Sequence, residues 1–279
     1  MHEKNRYRDQ HDFSALCALE PELRPFLTVT PDDRVSLDFS HPRAVYLLNR
    51  TLLLRDYKLK HWDIPAENLT PPIPGRLDYI HALHDLCPDT KRVLDIGTGA
   101  SLIYPILGVG EYGWSFVGSE INATSVKVAR ALIQFNPSLR RRVEVRQQPD
   151  PSRIFDGIIV DGESFDLIMC NPPFFDSREA ATLAARKKWE KLGRSDGGLA
   201  FGGADRELWT VGGEPSFLRT MIEESATYAS RVGWFTTLVS KRGYLKQALA
   251  HLEQRQASEV KEIRLAQGNK QMRILAWRY

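Results

Sequence analysis

The sequence lacks most of what would mark a secreted, membrane-spanning or metal-binding chain. It holds three cysteines, Cys17, Cys87 and Cys170, scattered and without a C-x-x-C spacing. So few, so placed, suggest neither a disulfide framework nor a zinc site, and a reducing cytoplasm is the expected setting. No apolar run approaches the length of a membrane span. The start, "MHEKNRYRDQHDF", is polar where a secretory signal is apolar, so an untargeted soluble protein is expected. The histidines, including His41, His61, His81 and His84, show no H-x-x-x-H spacing, and no metal is expected. Excess charge is scarce too, because a net +3 does not by itself announce a nucleic-acid binder. Long internal repeats are absent.

What remains is ordinary globular composition. A chain of 279 residues, 42% hydrophobic and 26% charged, suffices for one large α/β domain plus an extension. Residues 1–75 mix short helical patterns such as "HPRAVYLLNRTLLLRDY" with prolines that culminate in "LTPPIPGRLDY", and read as a mainly helical extension with a stiff linker. Residues 76–279 read as the main domain. "RVLDIGTGAS", "WSFVGSEI", "RVEVRQQ", "FDLIMC" and "GWFTTLVS" have the apolar character of strands, with helices expected at "SVKVARALIQFN", "EPSFLRTMIEESATYA" and "YLKQALAHLEQR". "EVKEIRLA" and "MRILAWRY" add two closing strands around "QGNKQ", a hairpin turn. Seven strands alternating with helices and ending in a hairpin describe a doubly wound, mostly parallel sheet with an antiparallel edge. Between Gly193 and Gly213 a glycine-rich tract without periodicity reads as a loop or lid.

Two short motifs carry chemistry. Asp95-Ile96-Gly97-Thr98-Gly99-Ala100-Ser101 follows an apolar strand, and its glycines allow a ligand close to the backbone. Glu120 ends the next strand about twenty residues on, where an acid accepts hydrogen bonds from ribose hydroxyls. The pair points to an adenosine-containing cofactor. With no P-loop lysine and no third glycine, S-adenosyl-L-methionine fits better than ATP or NAD. A bland tight turn is the alternative. The second motif is "FDLIMCNPPFFDS", in which a buried strand must stop near Cys170 because proline cannot join a sheet ladder. Pro172 and Pro173 each restrict the residue before them to extended geometry, so Asn171 and Pro172 form a stiff corner. The Asn171 amide oxygen and the Pro172 carbonyl can receive the two hydrogens of a planar amine, and Phe174 can stack on its ring, a contact worth roughly 1–3 kcal/mol. In an open parallel sheet the first and fourth of these strands lie side by side, so both motifs should open into one crevice. Cys170, inside the strand, should be an inert thiol.

These residues resemble a known family. "DIGTGASLIYPILG", "MCNPPFF" and the "GGE" of "ELWTVGGEPSF" look like the adenine-N6 RNA methyltransferases that include bacterial 23S ribosomal RNA enzymes and the human U6 snRNA enzyme. "NRYR", "PELRPFLT", "WDIP", "PPIPGRLDYIH", "GVGEYGW", "WFTTLVS" and "QGNKQMRILAWRY" extend the resemblance nearly end to end and favour the bacterial branch. It implies a class I, Rossmann-like fold, and it implies that Arg76, Gly97, Ser101, Glu120 and Asn171 contact the cofactor or line its pocket, beside Asp95 and Gly99. It also implies that Asn171, Pro172, Pro173 and Phe174 form the catalytic corner, and that the substrate is adenine N6 in 23S ribosomal RNA or a large-subunit assembly intermediate. Phe175 departs from the family pattern, which carries a polar residue there, and receives no role.

RNA capture needs cations near the crevice. "ARKKWEKLGR" supplies Arg186, Lys187, Lys188, Lys191 and Arg194 around Trp189, with a solvated helix face as the alternative. Arg6 and Arg8 are further candidates on the N-terminal arm. "LRRRVEVR" reads as ordinary surface charge. A monomer is expected. Two rival functions stay open: methylation of guanine N2 or of a protein glutamine amide, which pose the same lone-pair problem, and a catalytically silent RNA-binding or ribosome-assembly module.

Overall fold

A computed structural model describes residues 1–66, 68, 70–177, 179, 180, 182, 183, 209–267 and 270–279. The extension opens with helix α1 (Phe13–Leu19), a two-stranded antiparallel sheet of β1 (Leu27–Val29) and β2 (Val35–Leu37), and helix α2 (Pro42–Asp56). Helix α3 (Ile73–Leu86) comes next, started by prolines whose fixed φ suits a first turn. The boundary expected after residue 75 falls inside this first turn. The arm before α1 is tied to α3: Asn5 Nδ2 donates to Pro74 O at 2.8 Å and Asp78 Oδ1 at 2.6 Å, and the His2 amide also reaches Asp78 Oδ1 at 2.8 Å.

The main sheet is built from β3 (Arg92–Ile96), β4 (Ser115–Glu120), β5 (Val143–Gln147), β6 (Phe165–Cys170), β7 (Val232–Val239), β8 (Glu259–Gln267) and β9 (Lys270–Arg278). Its order is β5-β4-β3-β6-β7-β9-β8, parallel from β5 to β7 and antiparallel at β9 and β8. The seven expected strands are thus all present, in one doubly wound sheet closed by a hairpin. Of the expected hairpin turn, Gly268 and Asn269 lie outside the described residues. Crossovers run through α4 (Ile103–Tyr112), α5 (Ala123–Phe135), the short α6 (Pro137–Arg140), α7 (Gly213–Ser225) and α8 (Arg242–Gln254).

Successive strand side chains point to opposite faces, and the two cores obey that alternation. Val93, Leu167, Met169, Trp234 and Ile274 join one cluster, while Leu94, Ile168, Phe235, Leu275 and Trp277 join the other with α7 and α8. The first cluster also takes in Tyr7, Phe13, Leu16, Leu52 and Trp62 of the extension. The extension and that face of the sheet therefore share one continuous core. No helix among the described residues is long and apolar enough to cross a membrane.

Candidate active site

β3 and β6 are neighbours at the centre of the sheet, with Ile96 registered against Cys170, so the glycine turn after β3 and the proline corner after β6 emerge at the same edge. Past Ile96 the chain turns through Gly97 (φ +71°) and Gly99 (φ +65°), left-handed backbone that glycine adopts without a Cβ penalty. The Gly97 and Thr98 amides both donate to Ser119 O, at 2.9 and 3.0 Å, which clamps the turn to the end of β4. Glu120 completes the clamp. Its carboxylate accepts from the Gly99 amide at 3.1 Å and the Asn122 amide at 2.8 Å. From the extension, the Trp62 indole N–H donates to Ser101 O at 3.0 Å and braces the turn from behind.

The corner after β6 is supported differently. The β6–β7 ladder reaches only to the Ile168–Phe235 pair, after which the strands part. The Tyr79 hydroxyl of α3 enters the gap, with long bonds of 3.4 Å to both the amide and the carbonyl of Cys170 and one of 3.0 Å to Thr236 Oγ1, which itself donates to Ile168 O at 2.9 Å. Buried polar backbone at a splayed strand end needs such a partner. Tyr79 thus sets the residue from which Asn171 departs. On the far side, Glu214 at the start of α7 accepts from the Ser240 amide at 2.7 Å and from the Ser240 hydroxyl. Burial pushes its carboxyl upward in pKa.

One cleft joins the two motifs. Arg76, Gly97, Gly99, Ser101, Glu120 and Asn171 all line it, as does Pro173. Six of the seven residues expected at the cofactor therefore share one cavity. Asp95 does not: it lies fully buried beneath the turn, with no hydrogen-bond partner among the described residues for either carboxylate oxygen. Burial raises its pKa to about 7; the nearby Thr98 hydroxyl opposes that shift and the charge of Glu120 adds to it. Pro172 is buried rather than cleft-lining, and Phe174 is 40% exposed on the surface beside it. The Cys170 thiol, also fully buried, is pushed well above its ordinary pKa by desolvation and by the charge of Asp95, which leaves it inert as a nucleophile.

The cleft carries unspent hydrogen-bonding capacity. Arg76 donates through Nη1 to the Tyr104 hydroxyl at 3.0 Å, but its buried Nε has no partner among the described residues. Asn171 Oδ1 and Trp209 Nε1 are likewise buried and without a partner among the described residues. Such groups are rare in native structures and point to an occupant. A Cβ built on Gly97 would meet nothing within 4 Å, so the space beside the turn is open. A donor for a carboxylate, a carboxylate for ribose hydroxyls and an open glycine turn between them fit S-adenosylmethionine.

Other candidates are not brought to the cleft. Arg6 pairs with Glu111 at 2.7 Å and lies over the Tyr57 ring, at the opposite end of α4 from the turn. Arg8 is exposed in the same arm. Arg186, Lys187, Lys188, Lys191 and Arg194, with most of the Gly193–Gly213 tract, lie outside the described residues. Arg146 is held by Glu144 at 2.8 Å and Glu163 at 2.6 Å. Tyr79, Tyr104 and Trp209 carry no motif that marks them as site residues; Trp209 sits in the family-like "ELW", and nothing local signals what the three would touch.

This sheet order, with a glycine turn after the first parallel strand, an acid after the second and an Asn-Pro-Pro-Phe corner after the fourth, defines a class I methyltransferase fold. The chain belongs to the RNA methyltransferase family, whose model matches residues 1–279. Among its relatives, ribosomal RNA large subunit methyltransferase F of Salmonella paratyphi B is 45% identical over 287 residues, spanning 100% of this chain and 93% of that protein. The protein of the same name from Klebsiella pneumoniae is 44% identical, spanning 100% and 94%. Among solved structures, the hMettl16 catalytic domain in complex with MAT2A 3'UTR hairpin 1 superposes with a TM-score of 0.85 at 32% identity, covering 100% of this chain and 95% of that one. The N-terminal domain of human METTL16 in complex with SAH gives 0.79 at 29% identity, covering 100% and 98%. The resemblance read from the motifs is thereby borne out.

Proposed function

We propose that this chain transfers a methyl group from S-adenosylmethionine to N6 of one adenine in 23S ribosomal RNA, as free RNA or in a large-subunit assembly intermediate. The observation that carries the reading is the buried, unpartnered Oδ1 of Asn171 in the cleft that also holds the Glu120-clamped turn. The names of the relatives, which are 44–45% identical over the whole chain, supply the ribosomal RNA.

Bound in the cleft, S-adenosylmethionine supplies an electrophilic methyl group on a sulfonium. The chain's residues do the rest. Glu120 has the charge and position to accept from the ribose hydroxyls, and Arg76 offers its spare N–H to the methionyl carboxylate. The N6 lone pair of adenine is delocalised into the ring, and an acceptor at Asn171 Oδ1 favours the pyramidal nitrogen that attacks. No base is required before attack, because the N6 proton becomes acidic only as the new N–C bond forms, and it then leaves to water. Orientation and preorganised acceptors supply several kcal/mol each. A paired adenine cannot reach a recessed corner, so the target is unpaired or flipped out, at a cost of a few kcal/mol. Phe174 is available at the surface to stack on it.

The extension over residues 1–75, including Arg6 and Arg8, and the basic segment around Trp189 serve as RNA-binding surfaces. The protein acts as a cytoplasmic monomer. The test is digestion and mass spectrometry of ribosomal RNA from cells with and without the chain, together with purified protein, labelled methyl donor and either naked 23S RNA or large-subunit particles. N6-methyladenosine in the large-subunit RNA is expected. N2-methylguanosine, or label in protein, refutes the reading in favour of another planar amine.

A further inference from the structure

We infer that Trp209 is a specificity-determining residue, whose indole N–H recognises the ring nitrogen beside the amino group that Asn171 receives. The inference rests on the proposed methylation of adenine. Trp209 lines the cleft together with Asn171 and Pro173. It is held there by the corner itself: its backbone bridges Phe175, and the Thr210 amide donates to Phe175 O at 3.0 Å. The segment that carries Trp209 is thus registered against the residue just past Phe174.

The second observation is chemical. Buried tryptophans normally spend their N–H on a partner. Trp62 does so on Ser101 O at 3.0 Å, and Trp277 on Ser225 Oγ at 3.0 Å. Trp209 is half-buried, and its buried Nε1 has none among the described residues. Among the described residues the same cleft therefore presents an unpartnered acceptor, Asn171 Oδ1, and an unpartnered indole donor, Trp209 Nε1, with Pro173 also in its lining.

An acceptor beside a donor is the complement of adenine's amino group beside N1 or N7, both of which are acceptors. Guanine in the same pose turns its O6 carbonyl toward Asn171 Oδ1, acceptor against acceptor, and is disfavoured. The cofactor's ribose and carboxylate are matched by Glu120 and Arg76 on the turn side, which leaves the indole for the base. Leaving a buried donor unsatisfied is worth about 10- to 100-fold in discrimination.

The experiment compares wild type and Trp209→Phe on an RNA that wild type methylates, with the target adenine replaced in turn by 7-deazaadenine and 1-deazaadenine. Each analogue exchanges one ring acceptor for C–H and keeps the amino group. For wild type, kcat/KM should fall about 10- to 100-fold on one of the two analogues and little on the other. Trp209→Phe should show that same loss on adenine and no additional loss on the sensitive analogue. Its affinity for S-adenosylhomocysteine should stay within about threefold of wild type, a change below one hydrogen bond. The inference is overturned if wild type treats both analogues as it treats adenine, if the losses from variant and analogue multiply, or if the variant's defect is one of cofactor affinity. Should Trp209→Phe fail to fold, equal wild-type rates on adenine and on both analogues still overturn the inference. If wild type methylates no adenine at all, the proposed function falls, and this inference with it.

Discussion

Asn171→Ala separates catalysis from stability, because the two should move in opposite directions. Asn171 Oδ1 is desolvated without a partner, which costs the folded protein roughly 1–3 kcal/mol. Truncation removes that penalty. The side chain faces the cleft, so its loss opens no sealed cavity and forfeits little packing. The net change should lie between zero and about 2 kcal/mol of added stability, and each kcal/mol raises Tm by about 2–4 °C in a chain of this size. Methyl transfer should fall by at least about a hundredfold, the scale on which one preorganised contact is lost. Calorimetric melting of the free protein, cofactor titration and single-turnover transfer from a labelled donor measure the three quantities. Cofactor affinity should change by no more than about threefold, less than one hydrogen bond. Retained turnover would refute the role assigned to the amide. A parallel loss of stability and rate would refute the reasoning as well, because the asparagine would then be a strut of the corner.

Tyr79→Phe strips the partner from both backbone groups of Cys170, and should cost about 1–3 kcal/mol of stability and lower kcat with cofactor affinity little changed. Unfolding in urea with kcat intact would make Tyr79 a fold residue only. In Gly118→Ala the new Cβ would lie 2.8 Å from Thr98 Cγ2, and Thr98 belongs to the glycine turn itself; cofactor affinity should drop at least about tenfold, with an overpacking cost near 1–3 kcal/mol, both readable by titration and melting. Burial holds the Asp95 carboxyl near pKa 7, against about 3.9 when unfolded, so the native state binds the extra proton and this group's contribution to stability falls as pH rises from about 4 to 7, then levels. Asp95→Asn should therefore gain on wild type across that window in urea titrations at several pH values, and a pH-independent difference would remove the buried titration. Replacing Lys187, Lys188 and Lys191 together with Ala should weaken RNA binding and reduce the steepness of its salt dependence by up to about 2 in a log–log plot. Unchanged binding and slope would leave the segment as solvated surface.

Legibility in the sequence tracked the range of the forces involved. The end of β6 could be read from Pro172 and Pro173 because a missing amide acts on its own residue, and the turn after β3 from Gly97 and Gly99 because backbone freedom is equally local. Short apolar runs placed β3, β4 and β6, and the parallel order then brought Ile96 beside Cys170 as expected. Asp95 was expected with the cofactor's neighbours, yet its carboxyl is buried below the turn. Residues 1–75 read as an extension joined by a stiff linker, whereas Leu52 and Trp62 of that extension bury into the same core as Val93. Burial of that kind depends on which face each helix turns inward, and no local signal carries it.

By itself, then, the amino-acid order determined which chemical groups stand at the strand ends and how stiffly each is presented, since proline, glycine and strand periodicity act within a few residues. Only the tertiary structure decided which of those groups meet and which are left wanting. Tyr79 reaches Cys170 across 91 positions, and the empty partners of Asn171 Oδ1 and Trp209 Nε1 are defined by what the packed cleft fails to put beside them. A hydrogen bond that is absent belongs to no single stretch of chain, and it is a property of the folded cleft alone.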